Sequence, residues 1–426
     1  MKAAIYTLGC KVNHYESQVI AQLLTDAGYT LTDPKDAADV YVVNSCTVTA
    51  ESDRKTRQIV RRLRRQNPDA AIVLTGCMPQ AYPAEAAALM EADVVLGNRS
   101  NQKIVQALED YFRAGERLLR TEAHESGDVF VPCAVRRFPD RTRAEIKIED
   151  GCNRFCAYCA IPYARGRVRS KKCEDIAAES AELAAAGYRE IVLVGINLSA
   201  YRDGEYDLYD AVLAASAPGS VLRVRLGSLE PDHLTADVVT RLAACEKLCP
   251  QFHISLQSGC DRTLRRMNRH YTTDEYRALC TLLRQSFADC TLTTDIMAGF
   301  PGETQTDHET SIAFAREIGF EKVHVFPFSP RSGTRAAEMN DPVPRAVREQ
   351  RAGEIIKTMD EVRRAFLLRQ IGRTLDVLPE EENRGFTANY TPVQILGDAP
   401  PSGEVVPVRI SGVGKDCCIG EVVFNA

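Results

Sequence analysis

The sequence predicts an α/β protein in three parts: an N-terminal parallel α/β sheet domain, a partial (β/α)6 barrel and a small C-terminal β-barrel. Short apolar runs alternate with helical patterns from residue 1 to about residue 335, which is typical of parallel sheets. Several of these runs end close to a cysteine or another polar residue. Beyond about Gly372 the chain is rich in Val, Pro and Gly, which favours short strands joined by turns.

The first segment contains three apolar runs of strand length, separated by two helical patterns. The runs have the continuous apolar character of buried parallel strands. They are residues 2–7, 40–43 and 71–74, and the helical patterns are residues 16–27 and 54–65. A cysteine follows each run, at Cys10, Cys46 and Cys77.

We expect these three thiols to converge. The carboxyl ends of parallel strands lie along one edge of a sheet, and ligands bind there. Three convergent thiols would form a cluster site with three protein ligands. The alternative is that each cysteine is only a small residue in a tight loop.

A second group of thiols has the spacing Cys-x3-Cys-x-aromatic-Cys. It consists of Cys152, Cys156 and Cys159, with Tyr158 as the aromatic residue. Three thiolates can hold three irons of a cubane cluster, and an open position on the fourth iron is where substrate chemistry can occur, as at catalytic zinc. The alternatives are half of a zinc site, although no His follows at finger spacing, or buried cysteines without a ligand. The pattern closely resembles the signature of the radical S-adenosylmethionine (SAM) enzymes.

The middle segment contains six predicted strands and four or more helices, which indicate an open or partial (β/α) barrel. The strands are residues 144–148, 191–194, 221–226, 252–256, 292–297 and 322–326, and the helices include residues 173–186, 236–245, 273–286 and 306–318. Chemistry in such barrels sits at the carboxyl ends of the strands. Polar and small residues there become candidates for cofactor binding, together with Tyr158: Gly195, Asn197, Ser228, Glu230, Gln257 and Asp295. The alternative is that each of them caps a helix or forms a turn.

A long helical pattern rich in arginine follows, from Arg345 to about Gln370. The last strands are predicted at residues 375–379, 387–395, 404–410 and 419–424. A small β-barrel of this kind commonly presents strands and loops to nucleic acid, although a purely structural role is the alternative. The acidic run at residues 380–382 would repel phosphate, so any RNA surface must avoid it.

Two basic stretches are candidates for contacts with RNA phosphates. One is residues 54–65, and the other contains Arg165, Arg167 and Arg169, just beyond the Cys152 loop. A run of charges is more often a solvated helix surface, above all for the first stretch. Arg165 has a further alternative, which is to serve SAM or the substrate backbone.

The composition indicates a multidomain cytoplasmic enzyme. The chain has 426 residues, of which 45% are hydrophobic, and no stretch approaches the roughly 18 apolar residues of a membrane span. The first residues indicate a strand rather than a signal peptide, so fifteen cysteines favour metal ligands over disulfides. A net charge of −5 argues against a uniformly basic surface and confines any RNA contact to local patches.

Five motifs resemble those of the methylthiotransferases, a family of radical SAM enzymes. They are TLGCKVNHYES at 7–17, VNSCTVT at 43–49, TGC at 75–77, KIEDGC at 147–152 and AGFPGET at 298–304. The resemblance covers nearly the whole chain. It implies an N-terminal methylthiotransferase domain over residues 1–137, a radical SAM domain over residues 138–368 and a TRAM-like domain over residues 369–426.

The segment Gly9-Cys-Lys-Val-Asn13 is similar to the MtaB-type branch of this family, which acts on N6-threonylcarbamoyladenosine at tRNA position 37. The isopentenyladenosine branch typically has Gly-Cys-Gln-Met-Asn, and the ribosomal-protein branch has Gly-Cys-Pro-Lys-Asn. Isopentenyladenosine tRNA and a ribosomal-protein side chain therefore remain alternative substrates.

The resemblance implies two [4Fe-4S] clusters and SAM as cofactors. Cys152, Cys156 and Cys159 would hold the cluster that cleaves SAM reductively, and Cys10, Cys46 and Cys77 an auxiliary cluster whose open iron carries sulfur. One SAM would methylate that sulfur, and the radical from a second SAM would remove hydrogen from C2 of the adenine, which then takes the methylthio group. A catalytic residue beyond the cluster ligands is not evident from the sequence.

The implied partners are the anticodon loop of tRNA and an electron donor such as flavodoxin or ferredoxin, with no membrane. The oligomeric state is not predicted. A rival interpretation is a non-catalytic iron–sulfur electron carrier or a zinc-bound RNA adaptor.

Overall fold

The computed structural model describes residues 1–125, 127–138, 142–398 and 403–423. The described chain packs as two compact units. The first contains residues 1–136, 149–171 and 329–338, and the second contains residues 137–148, 172–328 and 339–426. The predicted division at residues 137 and 368 stays a prediction about functional domains. The compact units group the chain differently, because the Cys152 loop packs with the N-terminal residues.

Twenty strands are present in the described residues. In chain order they are Lys2–Thr7 (β1), Thr30–Leu31 (β2), Val40–Ser45 (β3), Ala71–Gly76 (β4), Val94–Leu96 (β5), Leu118–Arg120 (β6), Arg143–Lys147 (β7), Glu149–Asp150 (β8), Arg169–Ser170 (β9), Glu190–Val194 (β10), Arg223–Leu226 (β11), Ser228–Leu229 (β12), Gln251–Ile254 (β13), Thr291–Ala298 (β14), Lys322–Pro327 (β15), Thr374–Pro379 (β16), Arg384–Thr387 (β17), Pro392–Leu396 (β18), Val406–Val413 (β19) and Cys418–Val422 (β20).

Thirteen α-helices lie between these strands in the part of the chain that the structure describes. They are Lys11–Asp26 (α1), Ala50–Gln66 (α2), Cys77–Ala81 (α3), Pro83–Ala87 (α4), Ile104–Ala114 (α5), Ile161–Arg165 (α6), Cys173–Ala185 (α7), Leu208–Ser216 (α8), Ala236–Ala243 (α9), Asp261–Arg266 (α10), Thr273–Ser286 (α11), Gln305–Ile318 (α12) and Arg345–Leu368 (α13). Among the described helices, none has both the length and the apolar composition needed to cross a bilayer.

The first unit is built on a parallel sheet with the strand order β2-β1-β3-β4-β5-β6. Side chains alternate between its two surfaces, so that Val40 and Val42 enter one core while Tyr41 and Val43 enter the other. The first core includes residues of α1 and α5, and the second includes residues of α2. Helices therefore cover both surfaces of the sheet, which explains why its central strands β3 and β4 are buried along their whole length. The three predicted strands are confirmed, and β2, β5 and β6 were too short for their pattern to be seen.

The second unit contains the predicted partial barrel. Its parallel strands form two sheets, ordered β7-β10-β11 and β12-β13-β14-β15. Only Gly227 separates β11 from β12, so the strands follow one another in chain order. All six predicted strands are confirmed within a few residues at each end. The sequence pattern did not predict α8, α10 or the two-residue strand β12.

The C-terminal residues form a closed barrel with the strand order β16-β17-β18-β20-β19. Its core contains Val377, Ile395 and Ile410, and Leu367 at the end of α13 packs into it. The prediction of a small β-barrel is therefore confirmed, but the single strand predicted at residues 387–395 is wrong, because the chain turns between β17 and β18 and the two strands pair antiparallel. Residue 424 of the predicted last strand lies outside the described residues.

This small barrel is anchored to the parallel strands by buried arginines. Arg225 on β11 is 1% exposed, donates to Glu190 Oε1 at 2.7 Å and to the carbonyl oxygen of Ala388 at 2.9 Å, and lies 4.7 Å from the centre of the Tyr390 ring. Tyr390 stacks on Phe386 with their ring centres 4.5 Å apart. A paired and stacked guanidinium of this kind fixes the barrel in one position.

We expect the substitution Arg225→Met to lower the free energy of unfolding by about 3 kcal/mol, because Glu190 would remain buried without its main cation. Urea denaturation monitored by circular dichroism measures this loss. Arg384→Met on β17 is the matched control, since Arg384 is exposed and its replacement should change the stability little. Equal stability of the two variants would contradict the anchoring role of Arg225.

Candidate metal centre and cofactor site

Three cysteines of the first unit follow three adjacent strands of its sheet. Cys10 is the residue before α1, Cys46 follows β3, and Cys77 is the first residue of α3. Their strands β1, β3 and β4 are direct neighbours. The strand order therefore places the three cysteines along one edge of the sheet, although within the described ranges no group of three or more His, Cys, Asp or Glu side chains is spaced to hold a metal ion.

The amide oxygen of Asn13 lies between two of these thiols. Its distance is 3.9 Å to Cys10 Sγ and 4.0 Å to Cys77 Sγ. Asn13 is fully buried, and its Nδ2 donates to the carbonyl oxygens of Leu8 at 2.8 Å and Ser45 at 2.9 Å. Asn13 therefore fixes the ends of β1 and β3 against each other and holds the two thiols around one point.

Cys46 approaches the same point through Gly9. Gly9 has a φ of +107°, and a Cβ at this position would lie 2.9 Å from Cys46 Sγ. Only glycine tolerates both this backbone conformation and this contact. The close approach brings the third thiol beside Cys10, and Cys10, Cys46 and Cys77 are all free thiols.

Burial changes the acidity of two of the three thiols. It raises the pKa of Cys77 to about 12, although the Arg165 guanidinium opposes this effect. Burial also raises the pKa of Cys46. In the metal-free protein these two thiols are therefore protonated at neutral pH, and a metal ion that binds them must displace their protons.

The other cysteine group lies on a loop closed by a short antiparallel pair. Strands β8 and β9 pair Asp150 with Arg169, and the loop between them carries Cys152, Cys156 and Cys159. The amide of Cys152 donates to the carbonyl oxygen of Gly166, and the amide of Cys159 donates to that of Cys156, each at 3.0 Å. The first bond closes the loop and the second forms a turn from Cys156 to Cys159, and all three cysteines are partly exposed.

Gly151 is required at the start of this loop. It has a φ of +88°, and a Cβ there would lie 2.0 Å from the carbonyl oxygen of Arg167. A substituted residue would therefore push the two ends of the loop apart.

Arg165 connects the Cys152 loop to the thiols at the sheet edge. It is fully buried and donates to both carboxylate oxygens of Glu16, at 2.7 and 2.9 Å. It also donates to Asn13 Oδ1 at 2.7 Å and to Asp150 Oδ1 at 3.3 Å. The guanidinium of Arg165 thus connects Glu16 and Asn13 of α1 with Asp150, which lies two positions before Cys152.

The predicted contact of Arg165 with RNA phosphate is not supported by this geometry. Its guanidinium is enclosed and occupied by carboxylate and amide oxygens, so phosphate in solvent cannot reach it. Its Nε has no hydrogen-bond partner among the described residues. A buried N–H without an acceptor fits a site in which sulfur atoms of a cluster lie nearby, because hydrogen bonds to cluster sulfurs are common.

The two other arginines of this stretch differ from each other. Arg167 is exposed and lies 4.8 Å from the centre of the Phe155 ring. Arg169 donates to Asp150 Oδ2 at 2.9 Å and to the carbonyl oxygen of Arg165 at 2.7 Å. Arg167 is therefore accessible to phosphate, while Arg169 stabilises the loop. The RNA contacts of both stay predictions.

A further buried arginine contacts the residue after Cys46. Arg331 donates to Thr47 Oγ1 at 2.6 Å and forms an ion pair with Asp53 at the start of α2. Residues 329–338 are therefore part of the first unit although they lie far away in sequence. The roles of Asn13, Glu16 and Arg331 were not predicted from the sequence. The only signal was the position of Asn13 and Glu16 within the motif at 7–17.

The predicted cofactor residues lie in two places. Tyr158 is part of the Cys152 loop. The remaining six are in the second unit, where they lie near or within the parallel strands: Gly195, Asn197, Ser228, Glu230, Gln257 and Asp295. Their roles in SAM binding stay predictions.

Three of these residues have structural partners that the sequence did not reveal. Glu230 forms an ion pair with Arg269. Gln257 has a φ of +67°, and its backbone N–H donates to the backbone carbonyl oxygen of Asp295 at 2.8 Å. The Asp295 side chain lies within β14 and not after it, with its Oδ2 3.3 Å from His253 Nε2. Asp295 is thus deeper in the barrel than a residue at a strand end would be.

We expect Arg165→Gln to lower the free energy of unfolding of the metal-free protein by about 3 kcal/mol, because Glu16 would stay buried without its cation. Urea denaturation measures this loss. Arg167→Gln removes the same charge from an exposed position nearby and should change the stability by less than about 0.5 kcal/mol. If both variants unfold at the same urea concentration, Arg165 does not have the connecting role described above.

Comparisons with known proteins find a match for each of the two segments that carry a cysteine group. Residues 2–97 match a family described as "Uncharacterized protein family UPF0004", and residues 146–315 match the "Radical SAM superfamily". Among solved structures, the radical SAM methyltransferase TsrM from Kitasatospora setae, with cobalamin and a [4Fe-4S] cluster bound, has a TM-score of 0.59 and 15% identity, and the match covers 79% of this chain and 76% of TsrM. At this identity the match shows the fold alone.

Curated relatives match over nearly the full length. The "Threonylcarbamoyladenosine tRNA methylthiotransferase MtaB" of Bacillus subtilis (strain 168) is 37% identical over 99% of this chain and 96% of its own length. The protein of the same name from Thermotoga maritima is 38% identical over 97% and 95%. A "tRNA-2-methylthio-N(6)-dimethylallyladenosine synthase" from Clostridium novyi (strain NT) is 31% identical over 98% and 96%. On this evidence the chain belongs to the radical SAM methylthiotransferase family that includes the MtaB proteins.

Proposed function

We propose that this protein adds a methylthio group to C2 of N6-threonylcarbamoyladenosine at position 37 of tRNA. The protein is a radical SAM methylthiotransferase, and proteins of this family use SAM and [4Fe-4S] clusters. The observation that carries the proposal is that two groups of three cysteines lie in one compact unit, connected by the buried Arg165. Two such groups are what a reaction needs when it must both generate a radical and deliver sulfur.

Cys10, Cys46 and Cys77 are assigned to one cluster, and Cys152, Cys156 and Cys159 to the other. Three thiolates fill three of the four iron positions of a cubane and leave the last one open. When bound, the clusters and SAM would supply electrons, a carbon-centred radical and the sulfur that is transferred. The chain's contribution is to hold six thiolates in place. Asn13 and Gly9 fix the first group, and the β8–β9 pair fixes the second.

Radical chemistry suits this substrate position. The C2–H bond of an adenine is not acidic, so a general base such as His or a carboxylate cannot break it. A radical can break it in a site from which water is excluded. The adenine must leave its stack to reach such a site, which favours the single-stranded anticodon loop as the substrate region.

The remaining residues are assigned roles in binding. Tyr158 and the six residues of the second unit, Gly195, Asn197, Ser228, Glu230, Gln257 and Asp295, are proposed to bind SAM. The exposed Arg167 is proposed to contact an anticodon-loop phosphate. The electron donor is proposed to be a flavodoxin or a ferredoxin, and the location to be the cytoplasm, where tRNA is modified.

The substrate branch is supported by the relatives and by the motif after Gly9. Four matching MtaB proteins are 34% to 38% identical to this chain, and four matching dimethylallyladenosine synthases are 31% to 33% identical. Lys11 and Val12 stand where the isopentenyladenosine branch, to which the dimethylallyladenosine synthases belong, typically has Gln and Met. Dimethylallyladenosine tRNA and a ribosomal protein are the competing substrates.

Nucleoside mass spectrometry of tRNA tests the proposed substrate. We expect tRNA from cells with the gene to contain threonylcarbamoyladenosine with a methylthio mass gain, and tRNA from a deletion strain to lack it. Reintroduced wild-type protein should restore the modification and the Cys152→Ala variant should not. A mass gain on dimethylallyladenosine, or on a ribosomal protein with none on tRNA, would refute the substrate assignment.

Iron analysis tests the two cluster sites. The wild-type protein, purified without oxygen, should contain about eight irons per chain if both sites hold a four-iron cluster. Cys46→Ala and Cys156→Ala should each contain about four. Cys290→Ala is the control, because Cys290 lies outside both groups, and its iron content should equal that of the wild type. A wild-type content of about four would contradict the assignment of Cys10, Cys46 and Cys77.

A further inference from the structure

Helix α2 carries a concentration of positive charge that the sheet-edge site does not use. Seven of its 17 residues are Lys or Arg, while its acidic residues are Glu51 and Asp53, both in the first turn. The whole chain, by contrast, has a formal charge of −5. The helix therefore forms a local basic surface on an acidic protein.

One side of α2 is fixed by the fold. Val60 and Leu63 are buried in the core of the first unit. Arg64 forms an ion pair with Asp93 at 2.5 Å, and Arg57 forms one with Glu85 at 3.5 Å. These contacts give part of the charge a structural purpose.

Two cations on the opposite side of α2 take no part in ion pairs of this kind. Lys55 and Arg65 are exposed, and no carboxylate within the described ranges forms an ion pair with either of them. Arg62 lies between them with its guanidinium 5.6 Å from the centre of the Tyr6 ring. These three residues, here called the α2 basic stripe, follow one another at spacings of seven and three residues and so extend about 15 Å along one side of the helix.

The α2 basic stripe borders an open groove. The groove has a volume of about 460 Å³ and is lined by Lys55, Gln58, Ile59, Arg61, Arg62 and Arg65. The lining contains no carboxylate. Attraction to the helix dipole accounts for a cation only in the last turn, so it does not explain Lys55 or Arg62.

We propose that the α2 basic stripe binds backbone phosphates of the tRNA substrate. Phosphates along one strand are separated by a few ångströms, so a stripe of this length can contact several of them. The exposed cations and the amide of Gln58 suit phosphate oxygens without reading bases. This inference rests on the proposed function. The α2 basic stripe lies outside the cysteine sites, so it contributes to the affinity for tRNA and not to catalysis.

The double variant Lys55→Gln and Arg65→Gln tests this surface. Its affinity for tRNA purified from the deletion strain, measured by filter binding at several salt concentrations, should fall about tenfold at low salt. The slope of log affinity against log salt should become shallower by about 2, one for each phosphate contact removed. Iron content and circular dichroism should match the wild type, because both residues are exposed.

The matched control is the double variant Arg54→Gln and Arg57→Gln. It removes the same charge from the same helix, but Arg54 and Arg57 are paired with Glu51 and Glu85. Its tRNA affinity should change less than about twofold. Equal losses in the two variants would show a general charge effect and overturn the proposal, as would unchanged binding by the first variant.

Two further outcomes separate the possible partners. If the first variant binds tRNA normally but is reduced more slowly by an acidic flavodoxin, the groove docks the electron donor and the proposal is overturned. If the wild type itself shows no salt-dependent binding to tRNA, the proposed function fails and not only the role of the stripe. If the wild type binds tRNA and the first variant binds it equally well, only the role of the α2 basic stripe is rejected, and the proposed function is unaffected.

Discussion

The buried guanidinium of Arg165 is the interaction on which the cysteine site depends. A charged group without solvent exposure is stable only when its partners compensate for the lost hydration, and here Glu16, Asn13 and Asp150 supply the oxygens. These partners come from α1 and from the residues just before Cys152. The ion pair therefore holds both cysteine groups in one compact unit. Because these partners enclose its guanidinium, Arg165 is not available for contact with RNA.

The thiols at the sheet edge show how a parallel sheet builds a site from distant segments. Adjacent strands β1, β3 and β4 end at the same edge, and each delivers one cysteine. The strand order alone brings the carboxyl ends of these strands to one edge, but the positions of the thiols also depend on neighbouring residues. Gly9 leaves room for Cys46, and Asn13 places its amide oxygen between Cys10 and Cys77. A Cβ at position 9 would collide with Cys46 and displace its thiol.

The C-terminal barrel is part of the second unit and not an independent appendage. Arg225 and Arg143 enclose its stacked Phe386 and Tyr390, and Leu367 of α13 enters its core. Glu380, in the acidic run that would repel RNA, is paired with Arg143 at 2.8 Å. The acidic run is therefore partly neutralised by the docking contact. The loop around Tyr390 is used for docking and is therefore not free to bind nucleic acid.

The sequence by itself determined the longer parallel strands, the order of the three parts and the two groups of cysteines. It could do so because a parallel strand buried on both surfaces must be apolar, because Cys152, Cys156 and Cys159 are closely spaced, and because Cys10, Cys46 and Cys77 each follow a predicted strand. It did not determine Asn13, Glu16 and Arg331, the enclosure of Arg165, or the depth of Asp295 in the barrel. Arg165 and Arg331 meet partners more than a hundred positions away, and Asp295 meets His253 on another strand. No local pattern encodes which distant carboxylate a given arginine will meet. The tertiary structure decided them, because a buried charge is stable only where the folded chain supplies its partner.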